Sequence, residues 1–278
     1  MKFSVSHDFG RVAIIAHVYY TSLWDELSTS INIITAYPHD LFITLPPTNK
    51  YLTKRIKAQY PHAVIRILEN RGYDIGPFID TINSLNLDNY KYIVKLHTKR
   101  DVTERFLCWI NGRHHHGNTW RRELLMFCST ASAFVTTLLR LESDPSIGMA
   151  TSESLIIRED DIFERIYPET PAAARAFIQT CGLTMGKAEF VAGTMFIARA
   201  SLFKPIKSRF SIDDFPSTND KRHNGPVAYM LERALGYLVG AQGMRIADFK
   251  KDCFLQKPLH IYYRTRLKIL RFFAGRHP

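Results

Sequence analysis

Residues 11–100 repeat one pattern, in which a short apolar run is followed by a polar turn and then by apolar positions recurring every three or four residues. Residues 11–18 are rich in Val, Ile and Ala, as expected of a strand covered on both faces. The following stretch, 23–35, places Leu23, Leu27, Ile31 and Ile34 on one face of a helix. The same reading predicts strands over 41–45, 63–68 and 92–96 and helices over 51–60 and 77–85. Strand and helix in strict alternation imply a mainly parallel sheet flanked by helices. Ligands of such sheets collect beyond the carboxyl ends of the strands. The segments starting at His17, Glu69 and His97 should therefore converge on one cleft.

The second half is less regular. Helices are predicted over 120–128, 131–141 and 168–180, and a strand over 147–150. Residues 190–198 read as one strong strand with Gly193 in its middle, which marks a bulge or a close backbone approach. A helix should run from Asn224, its N-cap, to about Leu238, with Pro226 in the first turn. No internal repeat or low-complexity linker divides the chain. The expected organisation is one domain over 1–245, with halves 1–110 and 111–245, and a tail over 246–278.

Composition narrows the class. Of 278 residues, 46% are hydrophobic and 23% charged, which excludes a disordered chain. No stretch approaches the ~20 apolar residues needed to cross a bilayer. The N-terminus lacks an apolar run before a small-residue cleavage site, so the expected location is cytoplasmic. Cys108, Cys128, Cys181 and Cys253 form no Cys-x-x-Cys pair, which argues against a zinc ribbon, a redox motif or a disulfide framework.

The net charge of +11 is unevenly spread. Residues 245–278 hold nine Lys or Arg against two Asp, leaving a nearly balanced body. Over 262–274 the basic residues Arg264, Lys268 and Arg271 share one helical face and Tyr262, Ile269, Leu270 and Phe273 the other, with Arg266 as a flaw. Such a helix suits an anionic membrane surface or simple packing on the body.

Three segments could carry chemistry. Residues 69–77 contain Asn70, Arg71, Gly72, Asp74 and Gly76 before Pro77. The glycines let the backbone turn sharply, Asp74 can cap the next helix, and free N–H groups with Arg71 would favour phosphate. Lys95, His97 and Lys99 alternate onto one face of a strand and its exit, where they could neutralise a diphosphate without metal. His114, His115 and His116 are adjacent, which is poor spacing for a metal, and a polar loop over the cleft is the better reading. Candidate general bases are Asp213, Asp214, Asp220 and, further along the last helix, Glu232. There is neither a dinucleotide fingerprint nor a phosphate-loop Gly-Lys-Ser/Thr.

Four stretches resemble the rhamnan synthesis F family of bacterial glycosyltransferases. They are Glu-Asn-Arg-Gly-Tyr-Asp-Ile-Gly-Pro-Phe at 69–78, Tyr-Lys-Tyr-Ile-Val-Lys-Leu-His-Thr-Lys at 90–99, Ala-Gly-Thr-Met-Phe at 192–196 and Asn-Gly-Pro-Val-Ala-Tyr-Met-Leu-Glu-Arg at 224–233. The resemblance implies a GT-A-like fold and transfer of L-rhamnose, with inversion, from dTDP-L-rhamnose to a lipid-linked glycan at the inner face of the cytoplasmic membrane. It implies donor contacts from Asn70, Arg71, Gly72 and Asp74, with Gly193 and Thr194 beside the sugar. Lys95, His97 and Lys99 stand where many GT-A enzymes carry an Asp-x-Asp metal motif, so a divalent metal is not required by the pattern. Relatives usually show Asp-Gly where this chain has Asn224-Gly225, and an amide is no base. Either Asp220 or, as second choice, Asp214 then activates the acceptor, or the chain is a catalytically silent subunit. A nucleic-acid-binding protein is the third reading, disfavoured because the basic excess sits in one tail without interleaved aromatics on a known motif.

Overall fold

The apolar runs of the first hundred residues form the middle of a seven-stranded sheet. The computed structural model describes residues 8–102, 108–110, 113–159, 169–216 and 224–250. In it, β1 (Val12–His17), β2 (His39–Leu45), β3 (Val64–Ile67) and β4 (Tyr92–His97) lie parallel, and β1 and β4 are buried at every position. They are connected by α1 (Trp24–Ile34), α2 (Thr53–Gln59) and α3 (Ile75–Ser84). Helices α1 and α3 bury apolar stripes, Leu27, Ile31 and Ile34 on α1 and Phe78, Ile79 and Ile82 on α3, and α2 buries Ile56. Helix α3 starts two residues before the predicted Pro77, which sits in the first turn where a missing N–H leaves no bond unmade.

Beyond β4 the chain makes a ribbon of β5 (Cys108–Ile110) and β6 (Arg113–His115), so the histidine run enters a strand rather than a loop. Among the described residues no three His, Cys, Asp or Glu side chains gather as a metal site. There follow α4 (Thr119–Leu124), α5 (Ala131–Ser143), β7 (Ile147–Thr151), β8 (Ile156–Arg158), α6 (Glu169–Thr180), β9 (Glu189–Val191), β10 (Phe196–Arg199), α7 (Asn224–Ala241) and β11 (Arg245–Asp248). The sheet order is β3-β2-β1-β4-β10-β7-β11, and β10 runs antiparallel to both neighbours. The fold is thus a mainly parallel α/β sheet flanked by helices.

Two further expectations change. The single strand over 190–198 is two strands, because Gly193 (φ +81°) and Thr194 (φ +50°) both adopt left-handed backbone and turn the chain out of one sheet and into another. β9 pairs with β8, whereas β10 joins the main sheet. At the other end, β11 pairs with β7 and Phe249 is buried, so residues 246–249 belong to the sheet and core. The amphipathic stretch over 262–274 lies outside the described residues, as does Cys253. Among the described residues no helix is long and apolar enough to cross a membrane.

The strand order places a switch point beside β1. From β1 the chain moves outward through β2 to β3, then returns to lay β4 on the opposite side of β1. A crevice opens at the carboxyl ends of these two strands, where His17 and His97 are register partners.

Candidate active site

A cleft of about 410 Å³ occupies that crevice. His17, Tyr19 and Tyr20 enter it from the β1 exit, Asn70, Tyr73 and Asp74 from the turn before α3, and His97, Thr98, Lys99 and Arg100 from the β4 exit. The three post-strand segments do converge. The wall toward the second half of the chain is Gly193 and Thr194 with Ala228, Tyr229 and Glu232 of α7.

Polar side chains fix these loops to one another. Thr98 Oγ1 accepts from the Tyr19 and Tyr20 amides at 3.0 and 2.9 Å, and Asn49 Nδ2 donates to the Val18 and Tyr19 carbonyls at 3.2 and 2.6 Å. Arg121 of α4 donates to both Glu26 carboxylate oxygens, to Asp101 and, at 3.1 Å, to the Lys99 carbonyl. Through these bonds α4 holds the β4 exit in place.

Beneath the cleft lies a buried ionic cluster. Lys95 is only 1% exposed; its ammonium donates to Asp74 and, at 2.8 and 3.1 Å, to Thr194 Oγ1 and the Thr194 carbonyl. Thr194 Oγ1 in turn donates to Asp74 at 2.6 Å. Burial opposes ionisation of Asp74, but His97, Lys95 and the hydrogen bonds from Lys95 and Thr194 outweigh it and hold the carboxyl well below the usual range. His97 Nε2 donates to the Gly193 carbonyl at 2.8 Å. Burial pushes its ring down to about 4, with Asp74 only partly offsetting it, so the ring is neutral at pH 7.

The expected cationic face is therefore split. Alternation did place Lys95 and His97 on one side of β4, but that side faces the interior: Lys95 is neutralised by Asp74 and His97 carries no charge. Lys99 does line the cleft, its ammonium 4.3 Å above the Trp120 ring, and Arg100 joins it. Asp74, expected as a helix cap, makes no capping bond, because its carboxylate is turned to Lys95 and Thr194.

The other expected residues divide similarly. Asn70, Gly193 and Thr194 line the cleft. Arg71 does not; it donates to Glu69 at 2.8 Å and lies 3.6 Å from Asp213. Gly72 lies against the buried Phe215 ring. Asp214 is occupied as a cap, accepting from the Ser211 amide at 2.6 Å and the Ser211 hydroxyl at 3.1 Å. Asp220 lies outside the described residues.

Among the described residues, Glu232 is the carboxylate that the cleft presents besides Asp74. It accepts from the Gly193 amide at 3.0 Å, and burial pushes its pKa up despite that bond. Its signal in the sequence was faint, since a Glu in mid-helix is ordinarily a solvated residue. Two buried polar atoms in the lining also lack a hydrogen-bond partner among the described residues, His17 Nε2 and Asn70 Oδ1. His17 Nδ1 is 2.9 Å from Thr44 Oγ1, and burial lowers this ring to about 4 as well. A buried polar atom left unpaired costs about 1–3 kcal/mol, a cost that a ligand carrying hydroxyl or N–H groups would remove.

Comparison with known proteins adds the affiliation. The chain is 25% identical over 247 residues to the uncharacterized protein WxcX of Xanthomonas campestris pv. campestris, in strains B100 and ATCC 33913 alike. That match covers 88% of this chain and 33% of WxcX, so the chain spans about a third of the length of these relatives. Among solved structures, 4-diphosphocytidyl-2C-methyl-D-erythritol synthase from Anaerococcus prevotii is similar with a TM-score of 0.40 and 10% identity, over 94% of this chain and 97% of that one. The model of rhamnan synthesis protein F matches residues 2–244, the stretch that contains the whole cleft, and the chain belongs to that family.

Proposed function

We propose that this protein is a GT-A-like glycosyltransferase that moves L-rhamnose from dTDP-L-rhamnose, with inversion, onto a growing lipid-linked glycan. The family supports a role in polysaccharide synthesis. The observation that carries the reading is the position of Glu232, a carboxylate with a raised pKa in a cleft at the carboxyl ends of β1 and β4, opposite the basic exit of β4.

In the proposed step the acceptor hydroxyl oxygen bonds to the anomeric carbon while the bond from that carbon to the diphosphate oxygen breaks. The diphosphate leaves with the electron pair, and Glu232 takes the hydroxyl proton. Lys99 and Arg100 meet the charge that develops on the diphosphate. His97, being neutral, instead fixes the Gly193 carbonyl. Glu232 thus takes the role that the resemblance leaves to Asp220 or Asp214. The donor sits against Asn70, Lys99, Gly193 and Thr194, with a hydroxyl facing His17 Nε2 and a hydroxyl or base N–H group facing Asn70 Oδ1.

Where an Asp-x-Asp metal motif would stand, this chain has Lys95-Leu96-His97. A buried ammonium is no metal ligand, and it and Thr194 already engage the neighbouring Asp74 carboxylate. These side chains do not fit a divalent ion. The decisive experiment incubates the protein with dTDP-L-rhamnose and a lipid-linked acceptor, with and without EDTA. Transfer in both arms is expected; a folded sample that neither binds donor nor transfers sugar overturns the reading. Donor binding without turnover would favour a silent positioning subunit, the reading that Asn224 raises.

A further inference from the structure

At the mouth of the cleft two exposed aromatic rings stand together that the transfer step does not use. Tyr73 and Tyr229 are 41% and 49% exposed and stack with ring centroids 6.2 Å apart and planes inclined by 25°. Tyr73 has φ +55°, a left-handed backbone that is rare for a bulky residue and gathers at functional sites. The preceding Gly72 is left-handed as well, at φ +66°. A Cβ on Gly72 would lie 2.2 Å from the Phe215 ring, and the Gly72 carbonyl accepts from the Ile75 and Gly76 amides at 3.0 and 3.2 Å. The turn is thus fixed on both sides, and it sets the Tyr73 ring against Tyr229.

Tyr229 stands three residues before Glu232 on α7, and residues three apart share a helix face. Both line the cleft, which His17 Nε2 and Asn70 Oδ1 enter from the β1 and β3 exits. From this placement we infer that Tyr73 and Tyr229 form a platform for a pyranose ring of the acceptor glycan, which holds its hydroxyl toward Glu232. The inference rests on the transferase reading and names the acceptor side of that same cleft. The chemistry is general: a pyranose presents C–H groups from its faces and hydroxyls from its rim. A rigid tyrosine offers an apolar face and a polar tip to such a ligand with little side-chain entropy to lose.

The test uses the full chain, dTDP-L-rhamnose and a soluble oligorhamnoside. Tyr229→Ala removes one ring from an exposed helix position, and Tyr229→Phe keeps it. The acceptor KM should rise about tenfold in Tyr229→Ala while the donor KM moves less than about twofold, and Tyr229→Phe should return the acceptor KM toward wild type. Saturation-transfer NMR on the wild-type protein gives a readout that needs no variant: irradiating the aromatic protons should transfer signal to oligorhamnoside C–H groups. A donor KM that rises as much as the acceptor KM would assign the rings to the nucleotide and overturn the platform. An unchanged acceptor KM, or no transferred signal in protein that binds donor, would overturn it too. Oligorhamnoside binding to the rings without any donor binding would keep the platform and instead refute the transferase reading.

Discussion

Glu232 and the two cleft histidines make the residue-scale behaviour of this site depend on pH. A base must be deprotonated to act, and burial raises the Glu232 carboxyl above its ordinary value. The acid limb of kcat/KM should therefore lie above that of a solvated glutamate, and Glu232→Gln should abolish the limb and lower kcat about 10²–10⁴-fold while donor binding persists. Stability should respond over a separate window. His17 and His97 protonate near pH 6.5 when unfolded and at about 4 when folded. Between those values the unfolded chain binds more protons, so their contribution is complete above pH 6.5 and is lost as pH falls toward 4. Urea midpoints at pH 7 and pH 5 will show the loss; equal midpoints would contradict it. Lys95→Met should cost about 3–5 kcal/mol by stranding Asp74, and adding Asp74→Asn should restore much of it. Denaturant unfolding of both variants checks this. The sequence showed that Lys95 and His97 share a face, but not that this face looks inward onto Asp74 and Thr194, residues 21 and 99 positions away in the chain.

Among the elements, those legible in advance were the ones whose burial is local. The periodicity of α1 and the apolar runs of β1 and β4 reflect contacts on both sides of a single segment, so they stand out in a short window. The stretch over 190–198 misled for the same reason. Its apolar residues are buried apart from the half-buried Ala192, and the left-handed pair Gly193 and Thr194 reveals that they serve two sheets. The short β8 and β11 left little mark, since strands of three and four residues acquire their meaning from partners elsewhere. The turn before α3 yields a prediction at this scale. Gly72→Ala would force a side chain into left-handed backbone and into the Phe215 ring, and should destabilise the fold by about 1–3 kcal/mol. Thermal unfolding measures this, and the acceptor KM should rise with it as Tyr73 is displaced.

On the scale of the whole molecule, the net charge of +11 separates into a cleft and a tail. Among the described residues, Lys99 and Arg100 are the cleft cations placed to meet an anion, because Lys95 is neutralised internally. Most of the excess belongs to the end of the chain. Removing residues 262–278 should reduce co-sedimentation with vesicles containing anionic lipid, an effect that salt should mimic, and should leave donor affinity unaltered. Equal sedimentation of the shortened chain would rule out the tail as a membrane contact. The sequence by itself determined the alternating parallel architecture, the strand exits that line the cleft and the family motifs, because each depends on the order of residues along a short segment. Tertiary structure alone decided which of the motif residues face the ligand. Arg71 turned aside to Glu69, Lys95 sank onto Asp74, and Glu232 came into the cleft on α7, because burial and ion pairing are settled by neighbours far apart in the chain.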